Sequence, residues 1–128
     1  MDIGHLKSWI GRESLDEDTL ALRHARLMAA TLGQDSQALA EGAELPPLWH
    51  WIYFLEGLPP VQLPNRMWAG DTVDLLAPLR LGEPARKRSR IESIEHKRGR
   101  SGELVFVTVL HELEQGGQTA VRERHDIV

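Results

Sequence analysis

The stretch Lys97-Arg98-Gly99-Arg100-Ser101-Gly102-Glu103-Leu104-Val105-Phe106-Val107 decides which fold this sequence can form. Its two glycines suit the positive-φ positions of a tight turn, and residues 104–110 are the most strand-like run in the chain. Four consecutive apolar residues from Leu104 to Val107 predict a strand that is buried on both faces. A chain this small has few helices with which to cover two faces, so we expect a partner subunit.

Alternating apolar residues predict further strands on both sides of this hairpin. Residues 73–79 alternate, and Pro78 falls on the opposite parity, which predicts an edge position or a strand end. Ile91 and Ile94 have opposite parity, so a bulge is needed to place them on one face. Gly116-Gly117 predicts another hairpin. We therefore expect a four-strand antiparallel meander over residues 73–79, 88–97, 104–110 and 119–128.

Helical signals dominate the first third of the sequence. Ser14-Leu15-Asp16-Glu17 has the form of a capping box and predicts a helix that begins at Ser14. Gly33 is placed to end that helix. For residues 48–55 two interpretations stay open, because the aromatic residues favour a strand whereas Pro47 and Gly57 favour a helix. Helices that precede an antiparallel meander predict an α+β fold.

Composition limits the classes of protein to which the chain can belong. Its 128 residues and 14.4 kDa, with 41% hydrophobic residues, predict one domain with a real core. The absence of cysteine from the sequence excludes disulfides, thiol catalysis and thiolate metal sites. No early apolar run and no long apolar stretch occur in it, so we expect neither export nor membrane spanning, and a cytoplasmic location.

Basic residues are concentrated in one segment, although the formal net charge is -4. Seven of the fifteen basic residues lie between Arg86 and Arg100. The segment lacks the interleaved aromatic residues of a single-strand nucleic-acid binder, so we expect no nucleic-acid partner. Two interpretations stay open: a solvated strand face, or contact with a phosphate-bearing ligand such as coenzyme A.

His50 is the one histidine that large apolar residues flank in sequence, namely Trp49 and Trp51. It is interpreted as a structural histidine in preference to a catalytic one, because no carboxylate lies nearby in sequence to orient it. The HExxH, GxSxG, Walker and GxGxxG patterns are all absent from the sequence, so it predicts no metal site and no nucleophile elbow.

Several blocks resemble the amino-terminal half of the MaoC-like dehydratases, in the group of mesaconyl-CoA hydratase and the type 2 3-hydroxyacyl-thioester dehydratases. They are Ala29-Ala30-Thr31-Leu32-Gly33, Leu45-Pro46-Pro47-Leu48-Trp49-His50-Trp51-Ile52-Tyr53-Phe54-Leu55, Leu63-Pro64-Asn65-Arg66-Met67-Trp68-Ala69-Gly70, the hairpin quoted above, and Asp126-Ile127-Val128. The resemblance covers most of the chain, and its tryptophan-rich blocks are specific.

The resemblance implies a hot dog fold, in which an antiparallel sheet wraps around a short central helix. One such domain would occupy residues 1–128, with residues 49–55 in the wrapped helix and the sheet from about Met67. Two hot dog units are expected to pair into a double hot dog. Between Leu55 and Leu63 the chain is shorter than the family pattern, so the loop at the substrate entrance differs.

Members of this family add or remove water across the double bond of an acyl thioester. Their acid–base pair lies in a D-x-N-P-x-H motif, but no aspartate precedes any histidine of this sequence by five residues. In full-length relatives the motif belongs to the carboxy-terminal hot dog, and this sequence ends at Val128 as though at the domain junction or as a separate subunit. The resemblance therefore implies a non-catalytic subunit or excised domain of an enoyl-CoA hydratase or 3-hydroxyacyl-thioester dehydratase, a lyase of fatty acid metabolism.

The implied role of this chain is to form one wall of the acyl tunnel. Its expected ligand is an acyl-CoA or acyl-carrier thioester, bound as substrate with no other cofactor, and its expected partner is a second hot dog. Candidate substrate-binding residues are Trp49, His50, Trp51 and Trp68 for the lining, and Arg66 or Arg100 for an anionic group. The alternative role of the tryptophans is packing in the core. The alternative for Arg100 is a position on the surface of the hairpin turn.

Two alternative functions stay open. One is a homodimeric module that binds an acyl thioester without catalysis. The other is a self-sufficient enzyme that uses His50 with a carboxylate brought near by folding, such as Asp71 or Glu56. The acyl chain, the thioester carrier and the choice between homodimer and heterodimer are open at this stage.

Overall fold

The computed structural model describes residues 3–55, 68–99 and 102–128. Its helices are α1 (Ile3–Lys7) and α2 (Leu22–Thr31), with single 3-10 turns at Ser36–Ala38 and Trp49–Ile52. Its strands are β1 (Glu13–Thr19), β2 (Trp68–Leu75), β3 (Pro84–Gly99), β4 (Gly102–Gln115) and β5 (Gln118–Ile127). Within these ranges, no helix is long and apolar enough to cross a membrane.

All five strands form one antiparallel sheet in the order β1-β3-β4-β5-β2. The hairpins β3-β4 and β4-β5 confirm most of the expected meander, but β2 pairs with β5 and not with β3. Residues 76–77, just after β2, stay hydrogen-bonded to β5 at the same edge of the sheet, because the N–H groups of Leu76 and Ala77 both donate to the Ala120 carbonyl. The chain then crosses to the opposite side of the sheet, so the expectation of a four-strand meander was wrong at its first strand.

The predicted helix start at Ser14 is wrong, because this segment is the edge strand β1. Tertiary pairing overrides the local helix signal here: β1 lies beside the basic half of β3, and its acids meet that strand's cations. Glu17 is in register with Arg86, and the two side chains form an ion pair of 3.0 Å. The helix begins later, at Leu22, and ends as predicted at Gly33, which has a φ of 73°.

Two details of the strands follow the sequence closely. The register between β3 and β4 shifts between Ile91 and Ser93, which is the bulge that the opposite parity of the two isoleucines required. Gly116 and Gly117 both adopt positive φ in the tight β4-β5 turn, between the paired residues Gln115 and Gln118. The β3-β4 hairpin also forms as predicted, although its tip at residues 100–101 lies outside the described part.

Residues 48–55 form neither a strand nor a regular helix. Trp49–Ile52 make one 3-10 turn, preceded by Leu48 in the left-handed region at a φ of 72°, and Tyr53 is already extended. In place of the wrapped helix that was expected over residues 49–55, the structure therefore has only this single 3-10 turn. Tyr53 anchors the segment to α2, since its hydroxyl donates to the Ala21 carbonyl at 2.7 Å.

The hydrophobic core lies at one end of the sheet, on the face that we call the inner face. Its largest buried side chains come from the loops beside α2 and from β4, and burial of each leucine contributes about 1.5–3 kcal/mol. The core cluster consists of Leu20, Ala25, Leu45, Tyr53, Leu79, Leu81, Ala85, Leu113, Ala120 and Val121. The core therefore covers only part of the inner face. Leu104, on the opposite face of the hairpin arm, is 43% exposed within this one chain.

Candidate functional site

Beyond the core, the middle of the inner face forms the floor of an open cavity of about 910 Å³. Strand register places the lining side chains in rows, because residues that pair across the sheet point to the same face. Ser89, His111 and Glu123 make one row across β3, β4 and β5. The polar side chains that line the cavity are Ser14, Asp16, His50, Asp71, Lys87, Ser89, His111, Glu123 and His125.

His50 and Glu123 form a buried pair in the wall of this cavity. The imidazole Nε2 lies 3.0 Å from Glu123 Oε1, and each residue is only 5% exposed. The indole Nε1 of Trp51 donates to both carboxylate oxygens, at 2.9 and 3.0 Å. Burial raises the pKa of Glu123, but the contacts with His50, Asp71 and Trp51 outweigh it and lower that pKa to about 2. Glu123 is therefore ionised, and the His50 ring donates to it.

Asp71 of β2 is the carboxyl group that holds a proton most readily in this cavity. Burial and the adjacent Glu123 raise the pKa of Asp71 to about 7. Its Oδ1 atom is buried without a hydrogen-bond partner in the part of the chain that the structure describes. The two neighbouring carboxyl groups thus differ in protonation near neutral pH, because Glu123 is ionised whereas Asp71 is about half protonated.

His111 lies in the floor of the cavity beside Ser89 and Lys87. Its Nδ1 is 2.7 Å from the Ser89 hydroxyl. Burial, and then the Lys87 ammonium, lower the pKa of His111 to about 4. The imidazole is therefore neutral at physiological pH, and it offers one donor and one acceptor.

The structure brings together two of the candidate residues from the sequence. His50 and Trp51 meet at Glu123, whereas Trp49 packs against the core cluster. Arg66, Arg100 and Glu56 lie outside the described residues, as does the side chain of Trp68. Across the described ranges, no group of three histidine, aspartate or glutamate side chains is placed to hold a metal ion.

Glu123 is the site residue that sequence reasoning missed. It lies two positions after the core residue Val121 in an alternating strand, so its parity predicts the same inner face. Asp71 was foreseen as one possible carboxylate near His50, and it lies close to the pair through Glu123. The sequence could not predict that His50 and Glu123 come into contact, because 73 positions separate them along the chain.

Comparison with known proteins gives one match to a family and several to solved structures. The family model described as hydroxyacyl-thioester dehydratase type 2 matches residues 49–128. Mesaconyl-C(4)-CoA hydratase of Chloroflexus aurantiacus is 41% identical over an alignment of 138 positions, which covers 94% of this chain and 49% of that protein. The chain therefore spans about half the length of this curated relative.

Solved structures resemble the chain in fold at low sequence identity. The ChsH1-ChsH2 complex from Mycobacterium tuberculosis gives a TM-score of 0.71 at 13% identity, over 98% of this chain and 86% of that one. The truncated HadBC (3R-hydroxyacyl-ACP dehydratase) complex of the same organism gives 0.67 at 12% identity, over 93% and 96%. The likeness confirms the hot dog fold that the family resemblance implied.

Proposed function

Because the chain belongs to the hydroxyacyl-thioester dehydratase type 2 family, we propose that it forms the acyl-binding half of an acyl-thioester hydratase or dehydratase. In this proposal the chain is not catalytic by itself, and a partner hot dog supplies the aspartate and histidine. The reaction takes place in the cytoplasm and needs no cofactor beyond the thioester substrate. One observation carries the proposal: the inner face of the sheet is open where a small domain would ordinarily fill it.

The size and lining of this opening support an acyl-binding role. Its volume of about 910 Å³ lies within the range of ligand pockets, roughly 300–1,000 Å³. Apolar side chains of Val109, Leu113, Phe54 and Ile127 line it together with the polar rows. An acyl chain has apolar and oxygen-bearing parts, so a lining of this mixed kind matches both.

The protonation states support a non-catalytic role for the His50–Glu123 pair. A general base works best when its pKa lies near the working pH, and the Glu123 pKa of about 2 is far below it. Both carboxylate oxygens of Glu123 already accept hydrogen bonds from Trp51. The pair is thus best suited to hold the 3-10 turn against β5 and to shape the wall of the cavity.

Pairing with a second hot dog completes the proposal. Leu104, Leu75 and Leu76 are exposed apolar residues on or next to strands of this chain, and a partner would cover such surface. Mesaconyl-C(4)-CoA hydratase is about twice as long as this chain, and two of the structural neighbours are named as two-component complexes. A heterodimer is therefore favoured over a homodimer.

Asp71 favours a second candidate function, in which the chain catalyses the reaction by itself. With its pKa raised to about 7, Asp71 can donate a proton near neutral pH, and it lies beside Glu123 in the same cavity as His50. In this alternative Asp71 would act as the acid, and His50 would orient water.

An assay of crotonyl-CoA hydration distinguishes the proposed function from the second candidate function and from a binding module. The chain is purified alone and after co-expression with a hot dog domain that carries a D-x-N-P-x-H motif, and turnover and butyryl-CoA binding are measured for both. The proposal predicts binding by both preparations and turnover by the co-expressed pair alone. Turnover by the isolated chain that Asp71→Asn and His50→Gln abolish would establish the second candidate instead. Binding without turnover in either preparation would identify a binding module.

A further inference from the structure

Phe54 combines a strained backbone conformation with a side chain that lines the cavity. Its φ is 57°, in the left-handed region that residues other than glycine rarely adopt. Such strain persists only where the surrounding structure holds it, and it clusters at ligand-binding sites. Phe54 belongs to residues 50–55, which supply all the described lining residues that lie outside the sheet. The strained residue is therefore part of the cavity wall that faces the sheet.

Asp18 of β1 holds Phe54 in this conformation. The Phe54 N–H donates to Asp18 Oδ2 at 2.9 Å, although 36 positions separate the two residues. A hydrogen bond to an ionised carboxylate is stronger than one to a neutral acceptor. The preceding residue is fixed as well, because the Tyr53 hydroxyl donates to the Ala21 carbonyl at 2.7 Å. Two distant elements thus determine where the Phe54 side chain lies.

Strand register places this contact at the end of the cavity that the core closes. Asp18 pairs with Ala85, a buried member of the core cluster. Phe54 packs against the same cluster and also lines the cavity, so its ring lies at the boundary between the filled and the open parts of the inner face. From Leu113 to Val109 the floor runs about 13 Å along β4 toward the β3-β4 hairpin, at roughly 3.3 Å per residue.

We propose that Phe54 is a stop that limits the length of the acyl chain in the cavity, and that Asp18 is the positioning residue that holds this stop in place. The inference rests on the proposed function, which places the acyl chain in the cavity. A saturated chain that enters from the side of the β3-β4 hairpin lies along β4 and ends with its terminal methyl group against the Phe54 ring. Beyond the ring the core is filled, so further methylene groups have no apolar space to occupy.

The exposure of Phe54 favours contact with a ligand over core packing alone. Tyr53 is 4% exposed and Leu55 is 72% exposed, and Phe54 between them is partly buried. Its ring therefore keeps apolar surface on the cavity side, and the end of an acyl chain would remove that surface from water. A residue that served the core alone could fill its place without the left-handed backbone.

Calorimetric titration of the full chain with saturated straight-chain acyl-CoA esters, from butyryl-CoA to decanoyl-CoA, tests the stop. Each methylene group that enters apolar space should tighten binding about fourfold, whereas methylene groups beyond the stop should not. For the original chain we expect the affinity to rise with chain length and then to level off, at a length that we call the break. Phe54→Ala should move the break at least two carbons toward longer chains.

Phe106→Ala is the matched control, because Phe106 is the other phenylalanine of the sequence and projects from β4 to the opposite face of the sheet. It should keep the break of the original chain. Circular dichroism verifies that each variant is folded. If Phe54→Ala fails to fold, Phe54→Leu takes its place, with an expected shift of at least one carbon.

A pair of variants tests the positioning role of Asp18. Asp18→Ala removes the acceptor of the Phe54 N–H and should move the break toward longer chains, because the ring is no longer held against the core. Asp18→Asn keeps a carbonyl oxygen as acceptor and should restore the break of the original chain. The same break in Asp18→Ala and the original chain would overturn the role of Asp18.

The remaining outcomes overturn the stop itself. An unchanged break in the folded Phe54 variant shows that another group limits the acyl chain, while the acyl-binding function stands. Equal weakening of every ester by Phe54→Ala shows that Phe54 only supports the fold. An affinity that rises through decanoyl-CoA in the original chain shows that no stop exists. Failure of all the esters to bind removes the proposed function as well.

Discussion

The imidazole of His50 and the carboxylate of Glu123 lie 3.0 Å apart in a buried contact, although 73 positions separate them in sequence. The contact ties the 3-10 turn of residues 49–52 to β5, with Trp51 as a second donor to the same carboxylate. It thereby fixes one wall of the open cavity, which His50, Trp51 and Glu123 line. The first prediction follows from this role.

Glu123→Gln should destabilise the chain by about 2–3 kcal/mol, because charge-assisted hydrogen bonds from His50 and Trp51 are lost inside the protein. Urea unfolding followed by tryptophan fluorescence measures the change. Glu112→Gln is the control, since Glu112 pairs with Arg122 at 3.4 Å on the opposite, partly exposed face of the sheet. Glu112→Gln should lower the free energy of unfolding by only about 0–1 kcal/mol. Equal costs for the two variants would contradict a structural role for the buried pair.

The contribution of Asp71 to the stability of the chain should fall as pH rises, whereas the contribution of His111, whose pKa is lowered from 6.5 to about 4, acts in the opposite direction. The folded-state pKa of Asp71 is raised from 3.8 to about 7, so its contribution is fully present below 3.8 and is lost as pH rises through about 7. Asn mimics the protonated acid, so the Tm of Asp71→Asn relative to that of the original chain should increase as pH rises through this window. Asp74→Asn, at an exposed position of the same strand, should keep the slope of the original chain. Parallel curves for all three proteins would contradict the raised pKa.

Leu104 should matter to the partner interface more than to the chain alone. It is 43% exposed, so Leu104→Ser should change the free energy of unfolding by only about 0.5 kcal/mol. We expect it to weaken association with the second hot dog, because the hairpin arm then loses apolar contact area. Leu27→Ser on α2, where the side chain is 53% exposed, is the control. Analytical ultracentrifugation of the co-expressed pair measures association, and unchanged association of the Leu104 variant would place the interface elsewhere.

Much of the sheet was predictable because its signals are local. The bulge between Ile91 and Ser93 follows from the parity of two isoleucines, and the β4-β5 turn follows from Gly116-Gly117. The capping-box pattern at Ser14 failed because cross-strand pairing of β1 with β3 outweighs a local preference. Pro78 predicted an edge position or a strand end for β2, but the pairing of β2 with β5 was not predictable, since alternation gives the face of a strand but not its neighbour.

The candidate site was predictable only in part. Aromatic neighbours marked His50 in the sequence, but its partner Glu123 is brought to it by the packing of a turn against a distant strand. The contact between Ser89 and His111 arises from register, since these two residues meet only when β3 and β4 pair as they do. Both groupings therefore belong to tertiary structure, and spacing along the chain does not reveal them.

The central claim is that the acyl chain binds in the cavity of the inner face. Titration of butyryl-CoA into a variant whose cavity is filled by a larger side chain tests this claim most directly. Val109→Trp places an indole on the cavity floor, while Arg88→Trp places the same group on the opposite face of the sheet as the control. Circular dichroism verifies that both variants keep the fold. If the acyl chain occupies the cavity, binding should weaken at least about tenfold in Val109→Trp and stay unchanged in Arg88→Trp. Equal binding by the original chain and both folded variants would contradict an acyl-binding role for the inner face.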